Sequence, residues 1–259
     1  MATPTSLLFL EGQVRQYRRT WRASVITTFV NPVLFLTAMG LGLGSIVDSG
    51  AGTVALDGLT YATFLAPGLL AAATMQTGAG DSSWPVMAGI KWVRSYEAAL
   101  ATPVRTADIV YGHIAFVLLR VTFTATVFVG VMAVMTDVTA LRAMSAIAPA
   151  VLTGMAFGAP VMAFTASREG PEAMSSLFRF GIVPLFLFSG TFFPVSELPD
   201  WMEPIAHATP LWHGVELTRA AALGSETTIA PMWNVLYLVA WFAIGVALAV
   251  RALRRRMVS

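Results

Sequence analysis

The chain contains no cysteine, which excludes a disulfide framework, a thiolate metal site and a cysteine nucleophile. It is also poor in charge. Asp, Glu, Lys and Arg make up 12% of its 259 residues, about half the share in a soluble domain. The phosphate-loop pattern GxxxxGK(S/T) occurs nowhere, so the usual route to ATP binding is closed. HExxH and GxSxG are absent too, which removes zinc-peptidase and nucleophile-elbow chemistry. "GLGLG", Gly40–Gly44, ends an apolar run with no strand before it and is read as a close helix contact. No catalytic residue, metal site or bound cofactor is expected of this chain. A net charge of +2 gives no reason to expect nucleic acid as a partner.

What the chain has is apolar length. Hydrophobic residues make up 56% and mean hydropathy is +0.72. A membrane helix needs about 20 mostly apolar residues to cross roughly 30 Å of hydrocarbon. Residues 23–46, 59–80, 109–135, 143–166, 176–196 (uncharged over 180–196, and lengthened upstream) and 227–250 meet that need, and predict an all-α membrane protein of six transmembrane helices embedded in a lipid bilayer. "MATPTSLLFL" lacks a basic start and a long apolar run, so no cleaved leader is expected.

The basic residues are unevenly placed. Arg15, Arg18, Arg19 and Arg22 precede the first run; Lys91, Arg94 and Arg105 lie between the second and third; Arg168 and Arg179 lie between the fourth and fifth. Arg251, Arg254, Arg255 and Arg256 close the chain. The positive-inside rule therefore predicts both termini in the cytoplasm, with the chain in the plasma (inner) membrane. Arg142 and Arg219 fall on the other face, and Arg120 is the single charge within a span.

Three segments are neither span nor simple loop. Across residues 6–22, Leu7, Leu10, Val14, Tyr17 and Trp21 recur at helical spacing beside a basic flank. That pattern predicts a helix lying in the membrane interface; a basic tail enforcing topology is the plainer alternative. "KWVRSYEAALATPVRTADIVYGHI" holds a short helix-compatible stretch broken at Thr102-Pro103, with Thr106 or Asp108 placed to cap the next helix. It is either a docking helix or an ordinary loop.

The third segment, 198–222, carries Pro199, Pro204 and Pro210 among polar residues. Two short helices are expected there, Leu198–His207 and Leu211–Ala222, forming a re-entrant hairpin at the outer face. Broken helix survives at membrane depth only where protein or water covers it. Pro199, Trp201, His207, Pro210, His213, Glu216 and Arg219 are its candidate lid residues. His207 and His213 match no strong metal motif, and Glu216 with Arg219 at i, i+3 is expected to pair on the helix surface.

An arginine inside a span is a candidate functional group by default. Arg120 is assigned to a substrate path or a contact between two copies of the chain, or else to a structural bond with a side chain such as Asn31. His113 is read as a hydrogen-bonded helix residue.

"FSGTFFPVSELP" and "PLWHGVELTR" resemble the late region of the ABC type-2 permeases, especially those of antibiotic (daunorubicin-type) resistance and nodulation lipo-oligosaccharide exporters. "LATPVRTADIVYG" resembles the family's cytoplasmic segment after the second span, and Trp212 departs from its pattern. The resemblance implies a connecting helix at the N-terminus and a coupling helix in 97–105. Glu97, Leu100, Thr102, Pro103 and Arg105 would then dock on a separate ATPase subunit, which binds ATP and Mg. It also implies pairing with a second permease copy and export of an amphipathic molecule, a hydrophobic drug or a glycolipid. An ion-coupled secondary transporter is the competing class; it usually needs carboxylates inside the spans, and none lies within the runs above.

Sidedness is testable because the chain is free of cysteine. In intact cells a membrane-impermeant thiol reagent should label Trp201→Cys and spare a cysteine placed beyond Arg256. The opposite pattern would invert the topology.

Overall fold

The computed structural model describes residues 5–19, 21–48 and 58–257. Residues 1–4, on which part of the leader reading rested, and most of the loop between the first two apolar runs lie outside them.

Every regular element among the described residues is helical. Helix α1 is Thr5–Tyr17. Helix α2 covers 21–47 and includes a wide π stretch, Ala38–Leu43. Then come α3 (Tyr61–Asp81), α4 (84–92), α5 (Ser95–Leu100), α6 (Thr106–Met135) and α7 (Ala140–Ala166, with a break at Ala146). Helix α8 (172–188) also carries a π stretch, and α9 (Glu203–His207), α10 (Pro210–Leu223) and α11 (Pro231–Met257) complete the chain.

Local chemistry sets these boundaries. Thr60 caps α3 by accepting the Thr63 N–H. At the start of α6 the Asp108 carboxylate accepts the Arg105 N–H at 3.0 Å, which closes the turn that Thr102-Pro103 opens. Helix α10 has Thr209 as its cap, Pro210 in its first turn and Gly224 at φ +75 beyond its end, the arrangement that starts and stops a helix sharply.

Four helices are long and apolar enough to cross a membrane: Ser24–Val47 within α2, α6, α7 and α11. The chain is a membrane protein. Helices α2 and α11 leave much of their apolar surface exposed, including Ile26, Leu34, Trp233 and Leu236, as helices facing lipid do. Helix α3 is 21 residues long, less apolar, and mostly buried; α8 is helical over 172–188 only, ending where Gly190 takes φ +78. The run expected at 176–196 thus starts earlier and stops eight residues sooner.

Contacts between loops define two ends of the bundle. At the basic end, Lys91 donates to the Glu169 carbonyl at 2.9 Å and Arg256 caps the carbonyls that finish α7. At the far end, Arg142 donates to the Leu223 carbonyl, and the Tyr61 hydroxyl to the Phe192 carbonyl.

Helix α10 lies inside the bundle against α3, α7 and α11. It runs from Gly214, packed on Thr153, to Leu223, beside Arg142, so it spans from mid-bundle to the far end. Thr218 donates to the Pro67 carbonyl at 3.0 Å, filling an acceptor on α3. Leu211 and Val215 join a cluster with Ala71, Met75, Phe157 and Val161.

Two details differ from the sequence reading. Helix α1 stops at Tyr17 rather than Arg22, because the chain turns at Arg18 and Arg19 and restarts at Trp21. Phe9, Leu10, Gln13, Val14 and Tyr17 are half-buried, while Leu7 is 49% exposed. In the 198–207 segment only Glu203–His207 is α-helical, with Pro204 rather than Pro199 in its first turn.

A Cβ on Gly78 would overlap the Gly154 carbonyl, so α3 and α7 touch backbone to backbone there. Gly78→Ala should lower unfolding stability in detergent by the roughly 1–3 kcal/mol of an overpacked contact. Gly80→Ala, where a Cβ meets nothing within 4 Å, should change it by less than about 0.5 kcal/mol. Equal melting of the two variants would refute that contact.

Candidate functional site

The docking candidate is a short helix on a rigid mount. Arg94, at φ 51, is the single non-glycine with positive φ among the described residues, a conformation uncommon for its type; it separates α4 from α5. Tyr96 then turns fully inward. Its ring meets Phe9 of α1 edge-on at 5.6 Å, and its hydroxyl lies 3.4 Å from His113 Nδ1. Burial pushes the Tyr96 phenol well above its ordinary range, so it remains a neutral donor.

With Tyr96 as anchor, the other side of the segment is solvent-facing. Glu97, Thr102, Pro103 and Arg105 are exposed and Leu100 is half-buried. Glu97 lies 4.0 Å from Arg94, and the Thr102 hydroxyl donates to the Ala99 carbonyl at 2.6 Å. The segment 97–105 is therefore the end of a helix plus a turn, not helix throughout.

His113 sits where three elements meet. Its Nε2 is 3.0 Å from the Asp81 carbonyl, an obligate acceptor, so Nε2 carries the proton. Nδ1 then accepts from Gln13 Nε2 at 3.1 Å and from Tyr96. A single imidazole thereby joins α1, α3 and α5.

Two turns further along α6 lies Arg120. Its Nε donates to the Asp81 carboxylate at 3.0 Å and its Nη1 to the Tyr17 hydroxyl at 2.5 Å. The guanidinium stands 4.6 Å from the centre of the Tyr17 ring. Both partners are largely buried, with side chains 12% and 22% exposed. Arg120 thus lies at mid-length of α6, level with the last residue of α3. Its partner is Asp81 and not Asn31.

The pair forms one wall of a cleft of about 250 Å³ between α2, α3 and α6, with Phe186 of α8. Asn31, Gln76, Thr77 and Thr124 line it beside Asp81 and Arg120; Phe35, Phe128 and Phe186 supply its apolar wall. Asp81 went unread because it stands one residue beyond the apolar run. Its position at a span end, with Arg120 on the next span, was the available signal.

At the far end, the candidate lid residues divide into separate contacts. Pro210 is buried and opens α10, whereas Trp201 is 68% exposed and Pro199 lies in the turn leading to α9. The His207 ring lies 4.3 Å from the Trp212 ring, tilted against it, and His213 pairs with Asn234 at 2.5 Å while stacking on Tyr237 at 4.0 Å. The histidines thus turn to different partners. The expected Glu216–Arg219 pair is not made. Glu216 accepts the Thr228 N–H at 2.8 Å, and Arg219 is drawn inward, donating to the Gly190 carbonyl at 2.9 Å over the face of Phe64. A polar cavity of about 290 Å³ remains between α9, α10 and the 190–196 loop.

The family model described as "ABC-2 type transporter" matches residues 7–223. Nodulation protein J of Sinorhizobium fredii is 31% identical over 201 residues, covering 78% of this chain and 74% of that protein. Nodulation protein J of Rhizobium leguminosarum bv. viciae is 29% identical over 248 residues, 92% of this chain and 91% of that protein. The inner membrane transport permease YadH of Escherichia coli is 22% identical over 240 residues, 90% and 91%.

A double-mutant cycle on Asp81→Asn and Arg120→Gln tests the ion pair. The coupling in detergent unfolding should be roughly 1.5–3 kcal/mol, the range for hydrogen bonds to charged groups. Additive effects would mean the groups do not interact.

Proposed function

Because this chain belongs to the ABC-2 type transporter family, we propose that it is the membrane-spanning permease of an ATP-driven exporter that moves an amphipathic molecule across the plasma membrane. The observation that carries this reading is the mount of α5. A solvent-facing helix is fixed by buried Tyr96, whose hydroxyl meets His113, which holds Asp81, which holds Arg120 in the cleft wall. A push on α5 is then felt at the cleft without passing through a flexible loop.

In this reading Glu97, Leu100, Thr102, Pro103 and Arg105 contact a separate nucleotide-binding subunit, which supplies ATP, Mg and hydrolysis. A second permease copy covers the open side of the cleft at α2 and α8. Helices α3 and α8 join the four long apolar helices as spans, making six, with both termini on the cytoplasmic side. Helices α9 and α10 form a hairpin that re-enters from the outer side, a reading supported by the burial of α10 from mid-bundle outward. The half-polar, half-aromatic cleft suits a molecule with one polar and one greasy part, the class to which a hydrophobic drug or a glycolipid belongs.

One observation favours the ion-coupled alternative. Asp81 places a carboxylate in the cleft, which such a transporter requires. Its ion pair with Arg120 instead gives it a structural task.

The test uses the full chain co-expressed with its ATPase subunit. Replacing Glu97, Leu100 and Arg105 together by Ala should abolish co-purification of the ATPase, while the melting of the permease alone is unchanged. Undiminished association would refute docking through α5. Transport that follows a pH gradient without ATP would favour the alternative.

A further inference from the structure

A second groove lies on the opposite flank from the cleft, between α7 and α11, with a volume of about 780 Å³. Its floor begins where the two helices are tightest: a Cβ on Gly245 would stand 2.5 Å from the Pro160 ring. From there it passes Phe164 and Leu248 and opens at the basic end between Arg251 and Arg255.

The exposed side of α11 has a graded chemistry. Ile244, Leu248, Arg251 and Arg255 follow one another at i, i+4, i+7 and i+11, so they share one helix face. Ile244 and Leu248 are 55% and 50% exposed, and the two arginines are exposed just beyond them. Six residues of helix separate Gly245 from Arg251, about 9 Å. An apolar channel of that length therefore leads directly to two cations.

The other charged groups at the mouth do not neutralise these two. Arg256 turns its Nη1 to the carbonyls of Thr165, Ala166 and Arg168, finishing α7. Glu169 is the only acid lining the groove. Among the described residues no ion pair joins it to either arginine, so the mouth keeps a positive excess.

We propose that this groove binds an anionic phospholipid, with an acyl chain along Pro160, Phe164 and Leu248 and the phosphodiester between Arg251 and Arg255. Guanidinium forks match phosphate oxygens in pairs, and basic pockets between membrane helices select anionic headgroups. Arginines that served only to orient the chain would need no apolar channel beneath them.

The purified full-length chain in detergent, titrated with fluorescent phosphatidylglycerol, tests this directly. Binding should exceed that of phosphatidylcholine carrying the same acyl chains. Arg251→Gln with Arg255→Gln should weaken it roughly 25-fold, about fivefold for each cation near the headgroup. Arg179→Gln removes an exposed charge elsewhere at the basic end and should leave binding unchanged. Leu248→Trp, which fills the channel and keeps both arginines, should also weaken it. Circular dichroism confirms that each variant is folded. Unchanged binding in the double variant, equal binding of phosphatidylcholine, or equal binding of glycerol phosphate without acyl chains would each overturn the proposal. None of these readouts involves an ATPase, so the outcome is independent of the transport assignment.

Discussion

A charge among apolar helices has to be met by a partner, and in this chain that requirement ties the middle of the bundle to its basic end. Arg120 would be costly unpaired, and Asp81, at the end of another helix, meets it at 3.0 Å. Tyr17 closes the third side. Because Asp81 also gives its backbone carbonyl to His113, the same residue receives both the ion pair and the histidine that touches α1 and α5. Four elements distant in sequence are held by polar groups that have no better partner in a poorly hydrated setting.

The far end is organised by backbone satisfaction. Residues 189–209 hold no α-helix except the short α9, and irregular backbone inside a membrane protein must be covered and hydrogen-bonded. The structure supplies the partners from the neighbouring helices. Tyr61 donates to Phe192, Arg219 to Gly190, and Tyr237 to Ala208. Arg219 is drawn away from Glu216 by this demand, since a loop carbonyl without a partner outweighs a solvent-screened pair on a helix surface.

Much of this was readable residue by residue. The apolar runs located the four long helices because hydrocarbon tolerates little else, and Pro210 marked the start of α10. Thr102-Pro103 and Asp108 marked the turn before α6. Of the stripe read on α1, Leu10, Val14 and Tyr17 are half-buried; polar Gln13 is half-buried with them because His113 of α6 offers it a partner, and a hydrophobic stripe cannot reveal that. Nor could the partner of Arg120 be named, since Asp81 is 39 positions away and just outside an apolar run.

The amino-acid order alone therefore determined the class of solvent around the protein, the places and approximate lengths of its four long apolar helices, and which end is basic, because these follow from local composition and helical period. Tertiary structure decided which polar groups meet. It brought Tyr96, His113, Asp81 and Arg120 into one chain of contacts, buried α10, and left a channel under Arg251 and Arg255. Such pairings depend on how helices cross, and crossing is set where backbones can approach, as at Gly78 with Gly154 and Gly245 with Pro160. That is a property of two surfaces at once, which no single stretch of sequence contains.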